Sequence, residues 1–271
     1  MSAPSTLGSR FGAFALRAFC VVAGLLLVAP TLVVIPLSFT DRQSFAFPPT
    51  GWSTRWYENF FDDRSWYTSA LLSLQVGAVV ALLATALGTA AAIALVMGGG
   101  RWRIPARGFL LTPAILPGVI VAIAIFAVFL QWGLTQTTTG YVLAHTVLAL
   151  PLVVIAVTAS LSTFDRQLIR AAHSLGAGAV ATFVHVTLPL IAPGVLTGAL
   201  FAFLTSFDEA IVSLFLSGPF ARTLPIQIYQ SVTAEIDPTI AAASTMLIVL
   251  TTVALVAVGL ITTLRNRGTH A

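Results

Sequence analysis

Asp208 and Glu209 stand side by side inside an apolar run from Leu190 to Leu216. A carboxylate at mid-membrane depth costs roughly 2.5–3.5 kcal/mol on insertion scales, so two in succession require water, a partner or a cationic ligand around them. On one continuous helix, consecutive residues point about 100° apart. Glu209 would then share a polar stripe with Thr205, Ser206, Ser213 and Ser217, while Asp208 would be flanked by Leu204, Ile211 and Val212 as well as Thr205. This predicts that Glu209 faces a pore and that Asp208 lies at its edge or pairs across a subunit interface. The chemistry on offer is attraction of a cation, with Phe207 or Phe203 presenting a ring face to an ammonium group. The structural alternative is a carboxylate satisfied by an arginine or by backbone of a partner. Adjacent Asp and Glu on a helix cannot converge on one metal ion without further ligands. His145 has no second His, Cys or carboxylate at ligand spacing, so it is expected to bond a neighbouring helix, and no metal is expected.

The second polar stretch runs from Phe164 to Pro189. Ser162 and Asp165 stand at capping-box spacing, so a helix is expected to start there, with Asp165, Arg166, Arg170 and His173 held out of the hydrocarbon. Gly176 and Gly178 are expected to end or bend it. Ala171, Ala172, Ser174 and Ala177 leave a shallow surface suited to close approach by a soluble partner. The plainer alternative is an interfacial helix that only links two spans.

These segments sit in a chain of 271 residues that is 58% hydrophobic and 8% charged, with mean hydropathy +0.97. Too little polar surface remains to cover a water-soluble globule, so the chain is an integral membrane protein. The net charge of +4 comes from dispersed arginines, with no basic patch interleaved with aromatics, so nucleic acid is not expected as a partner. The single Cys20 excludes an internal disulfide. There is no lysine, which excludes a phosphate-binding loop ending in Gly-Lys-Ser/Thr and makes Gly98-Gly99-Gly100 a turn. If transport here uses ATP, hydrolysis happens on another chain. No Ser/His or metal constellation supports an intramembrane enzyme.

Six apolar runs are long enough to cross a bilayer at ~20 residues each: about 18–39, 69–97, 109–131, 141–162, 190–216 and 239–264. The expected fold is all-α, with a segment 1–17 before a six-span domain 18–264 and a tail 265–271. The first run is too long for a signal-peptide core and is expected to be retained. Arg10, Arg17, Arg101, Arg103, Arg107, Arg166, Arg170, Arg265 and Arg267 fall in segments of one side, against Arg42, Arg55, Arg64 and Arg222 on the other. That bias puts both termini in the cytoplasm. The outer loop 41–67 is crowded with aromatics, which at this depth anchor to the headgroup region or contact substrate. Gly77, Ala81, Ala84, Gly88 and Ala92 form a small-residue stripe for close helix packing, with Gln75 beside it as interhelical glue. Pro113 and Pro117 predict a bend in the third span.

Two motifs resemble a known family. Ala171-Ala172, three residues, Gly176, nine residues, then Val186-Thr187-Leu188-Pro189 resembles the coupling loop of importer-type ABC permeases, with Arg170 where that pattern has Glu. Ser206 to Pro219 and Thr223 to Tyr229, with Arg55 to Phe61, are similar to segments of polyamine-importer permeases of the spermidine/putrescine type. The resemblance implies a six-span permease that pairs with a second permease, an ATPase dimer carrying Mg and ATP, and an extracytoplasmic binding protein. It implies an ATPase-coupling loop at Arg170, Ala171, Ala172, His173, Ser174, Leu175 and Gly176, and a small cationic cargo passing Asp208, Glu209, Thr205, Ser213 and Phe207. Related permeases for opines, phosphonates and other solutes share parts of these segments. A secondary transporter using Glu209 as a proton relay is the rival of another class.

Overall fold

An apolar run in lipid must satisfy its own backbone donors and acceptors, and the helix is the one open structure that does so. The computed structural model describes residues 7–163, 165–219, 221–234 and 237–268, and the side chains of these from 14 to 261. Phe164, Glu235, His270 and the side chains of Arg10, Arg265 and Arg267 lie outside the described set. Twelve helices follow in order: α1 (Leu7–Leu37), α2 (Arg55–Asp62), α3 (Arg64–Met97), α4 (Arg103–Ile115), α5 (Gly118–Gln131), α6 (Thr138–Ser162), α7 (Gln167–Ser174), α8 (Ala179–Thr182), α9 (Leu188–Phe207), α10 (Ile211–Leu216), α11 (Leu224–Ala234) and α12 (Thr239–Gly268). Five stretches are long and apolar enough to cross a membrane: Phe14–Leu37, Arg64–Met97, Thr138–Ser162, Ala179–Phe207 and Thr239–Ile261. The pair α4 and α5 makes a sixth if taken as one span, and it is bent by 102°.

Two expected spans differ from their sequence reading. The third is broken outright: Pro117 has no N–H to give, and helix ends at Ile115 and restarts at Gly118. The fifth is not one helix from 190 to 216. Its helical course begins at Ala179, passes through a π-turn at Phe183–Thr187, and stops at Phe207. Pro189 cannot donate to the carbonyl of His185, and the widened turn stands just before it.

The chain divides into two compact units, Met1–Asp62 with Ser231–Val249, and Asp63–Gln230 with Leu250–Ala271. In the first, the segment between α1 and α3 folds on itself. Trp56 Nε1 donates to Thr40 O at 2.8 Å, Asn59 Nδ2 donates to Thr239 Oγ1 at 2.8 Å, and Ser38 and Tyr57 share a hydroxyl bond of 2.7 Å. Trp56 and Phe60 are therefore core residues, while Phe47, Trp52 and Phe61 stay exposed.

In the second unit α3, α6 and α9 pack against one another, and the small residues set their spacing. A Cβ at Gly88 would meet Val153 Cβ at 2.7 Å, and one at Gly198 would meet Val153 Cγ1 at 3.2 Å. Backbones approach closely on both sides of Val153, the packing that lipid requires in place of a hydrophobic drive. Gly77, Ala84, Gly88 and Ala92 of the stripe are buried. The polar glue beside them is Ser73, whose Oγ accepts from Leu224 N–H at 2.7 Å, whereas Gln75 is exposed.

Candidate functional site

The helix that carries the acidic pair ends on it. Asp208 N–H bonds Leu204 O at 3.0 Å and closes α9, and helix resumes at Ile211. The ladder is interrupted between Asp208, whose N–H is the last donor of α9, and Ala210, whose carbonyl accepts from Leu214 N–H at 2.9 Å in α10, so the predicted stripe is not carried on one continuous helix. Asp208 is the exposed member. Glu209 is half-buried and turns back on its own chain, its Oε1 accepting from Val212 N–H at 2.8 Å at the start of α10. Asp208 is presented at the break, and Glu209 serves a backbone donor that would otherwise lack a partner. Among the described residues no arginine or histidine pairs with either carboxylate. Thr205 is half-buried at the last turn of α9, and Phe207 is buried with its ring stacked on Phe203 at 5.4 Å. Of those two rings, Phe203 keeps the accessible surface.

Of the other members of the expected stripe, Ser206 and Ser213 face α6, whereas Ser217 Oγ donates to Leu214 O at 2.9 Å. His145 is fully buried, with Nδ1 2.9 Å from Ser206 Oγ and Nε2 3.1 Å from Ser213 Oγ. One ring thereby bridges the two helices on either side of the break, as its expected bond to a neighbouring helix required. The break in the third span adjoins this one. A Cβ at Gly118, the first residue of α5, would stand 3.3 Å from Ile211 Cδ1 at the first residue of α10. Phe126 and Phe215 continue the contact with ring centroids 6.1 Å apart. Two interrupted helices meeting at membrane depth leave backbone groups outside the ladder, which is tolerated where they are buried in protein or line a water-filled cavity.

A separate cleft of about 330 Å³ is lined by Ser65, Thr68, Gln75, Thr138, Arg222 and Gln227, among others. Its charged lining is cationic, so it does not suit an amine.

The loop from Asp165 onward starts differently from its capping-box expectation. Asp165 Oδ1 accepts from Gln167 N–H at 2.8 Å and initiates α7, while Ser162 Oγ donates to Ala159 O. Helix α7 buries none of its residues. It ends at Gly176, whose φ of +85° is costly for any residue with a Cβ. There Gly176 N–H bonds His173 O, and Ala177 N–H bonds Ala172 O at 3.0 Å. Arg170, Ala171, His173, Ser174 and Leu175 are exposed and Ala172 is half-buried. Arg166 reaches back to donate to Val96 O, and Arg103 donates to Leu95 O and Val96 O, so two arginines close the C-terminal end of α3.

This arrangement of apolar spans, interrupted helices and a solvent-exposed connecting helix has counterparts. The family described as binding-protein-dependent transport system inner membrane component matches residues 84–265. The chain belongs to that family. It is the membrane-spanning permease subunit of an ABC importer, with ATP hydrolysis residing on a separate subunit. The permease is 31% identical over 258 residues to the spermidine/putrescine transport system permease protein PotC of Haemophilus influenzae, covering 95% of this chain and 99% of that one. It is 32% identical over 229 residues to the putrescine transport system permease protein PotI of Escherichia coli, covering 82% and 81%. It is also 32% identical over 244 residues to the molybdenum transport system permease protein ModB of Mycobacterium bovis, covering 84% and 86%. Among solved structures, it superposes with TM-score 0.72 and 15% identity on a chain of a bacterial alginate ABC transporter in complex with an alginate pentasaccharide-bound periplasmic protein, covering 92% of each chain. That likeness is one of fold. Family membership sets aside the secondary-transporter rival and the intramembrane enzyme.

Proposed function

We propose that this permease carries a polyamine, putrescine or spermidine, inward by alternating access, and that its cargo passes the break between α9 and α10. The observation that carries the proposal is the exposed Asp208 carboxylate beside the meeting point of two interrupted helices, with no cation of its own unit paired to it. An ammonium group supplies the positive charge that a carboxylate at such depth requires. The similarity to PotC and PotI supports the same cargo class. The similarity to ModB supports the competing one, an oxyanion, at comparable identity. The sign of the site favours the amine: Asp208 and Glu209 would repel an oxyanion. In this scheme Asp208 attracts the ammonium, Thr205 and Phe203 border it, and Glu209, Ser213 and Phe207 hold the shape of the break.

Both termini face the cytoplasm by the excess of arginines in the inner segments. The loop from Arg170 to Gly176 then lies on the cytoplasmic side and docks on an ATPase dimer holding Mg and ATP. A second permease and an extracytoplasmic binding protein complete the assembly.

Uptake of labelled putrescine and spermidine, in uptake-deficient cells expressing the chain with its genomic neighbours, tests the proposal. Wild type is expected to take up one or both amines, and Asp208→Asn to lose most of that uptake at matched expression. Failure of well-expressed wild type to move either amine would overturn the cargo. Normal uptake by Asp208→Asn would remove Asp208 from the path.

A further inference from the structure

We infer that His145 is a positioning residue of the transport path: by bonding Ser206 and Ser213 at once, it fixes the angle between α9 and α10 and so the place of Asp208. The inference rests on the proposed path through the break.

A continuous helix fixes the direction of its two halves through its own hydrogen bonds. Here those bonds stop at Asp208, and Glu209 restores one of them through its side chain. The relation between α9 and α10 is therefore imposed from outside: α5 packs on α10, and α6 contacts both α9 and α10. His145 is its polar contribution, 61 residues from one serine and 68 from the other. A neutral imidazole has one donor and one acceptor, and a serine hydroxyl can serve either role, so both bonds are satisfied whichever tautomer is present. Tyr141, one turn earlier on α6, packs its ring edge-on against His145 at 5.8 Å. Its hydroxyl donates to Ala221 O at 2.9 Å, fixing the segment that follows α10 to the same helix.

A buried histidine that only fills space would be replaced without loss by leucine. Ser206 and Ser213 would then return to carbonyls one turn back, as serines in helices do. A clamp predicts otherwise, because each serine acts through the ring.

The test uses the full chain assembled with its partners in native membranes, with Cys20→Ser removing the single native thiol and Ala210→Cys placing a probe in the break while both carboxylates stay. The rate of maleimide labelling at 210 is compared for the parent, His145→Leu, His145→Gln, Ser206→Ala and Ser213→Ala. The expected result is a several-fold change in rate for His145→Leu and for each serine variant. His145→Gln, whose amide can reach Ser213, is expected to stay closer to the parent. Ser206→Ala should add nothing once His145→Leu is present. Half-saturating amine concentration should move several-fold in the same variants, with maximal uptake less affected. Unchanged labelling in the serine variants, or serine effects that persist in full beside His145→Leu, would overturn the clamp. If His145→Leu fails to accumulate, the serine variants and His145→Gln decide by the same readout. Loss of the amine proposal with the labelling pattern intact leaves the clamp standing, whereas amine uptake with a flat labelling pattern removes the clamp alone.

Discussion

Two carboxylates one residue apart do different work because one of them has found a backbone partner. Glu209 accepts from Val212 N–H as a capping side chain would, and losing such a cap costs roughly 0.5–2 kcal/mol. Its glutamine variant keeps a carbonyl oxygen at the same place and discards only the charge. Glu209→Gln is therefore expected to retain uptake within a few-fold, while Glu209→Ala, which leaves the donor unserved, loses most of it. Both are measured as initial uptake rates at matched expression beside Asp208→Asn. Equal collapse of Glu209→Gln and Asp208→Asn would show that Glu209 acts through its charge on the cargo and not through the cap.

At the scale of elements, the close packing of α3 on α6 is held by the absence of a side chain at one position. A Cβ at Gly88 would press on a β-branched neighbour that has no flexible end to move aside. Overpacking of this kind costs typically 1–3 kcal/mol. Gly88→Ala is expected to lower the melting temperature of the purified complex in detergent, whereas Gly24→Ala, with nothing within 4 Å of its Cβ, does not lower it. An unaltered melting temperature for Gly88→Ala would mean that α3 and α6 are free to part. The stripe containing Gly88 was legible in the sequence because small residues at helical spacing have one physical use in lipid. The spans were legible for the same kind of reason: length and hydropathy suffice for a helix in a bilayer. The break in the third span announced itself through Pro117, although not the size of its bend. The break in the fifth did not. Asp208, Glu209 and Ala210 contain no glycine or proline, and each is tolerated in a helix interior, so periodicity carried the pattern straight across them. The partners of His145 were equally hidden, because residues 61 and 68 positions away are brought together by packing and not by spacing.

For the whole molecule, the question is how a membrane core is made to follow events in another subunit. Helix α7 buries nothing, yet Leu175 is 89% and Val180 77% exposed at its C-terminal side. Leu175 lies on the connecting segment between spans four and five, where water is the alternative to a partner, while Val180 belongs to the stretch Ala179–Phe207 that is apolar enough to span. Burial of Leu175 against an ATPase subunit would supply about 1.5–3 kcal/mol if its side chain were fully covered. The loop is joined to the core in two ways, by the unbroken run of chain from Ala179 into α9 and by the bond from Arg166 to the end of α3. In the proposed scheme, movement of the loop would therefore be passed to α3 and to the helix that ends at Asp208. Leu175→Asp is expected to fold as well as the parent, since surface substitutions away from packed features stay within about ±0.5 kcal/mol. It should nevertheless fail to retain the ATPase subunit on purification and abolish uptake. Gly176→Ala is expected to weaken the same association by straining the backbone at its positive φ. Co-purification of the ATPase at parental stoichiometry with Leu175→Asp would show that the docking surface lies elsewhere, while the sequence of helices beneath it would still stand.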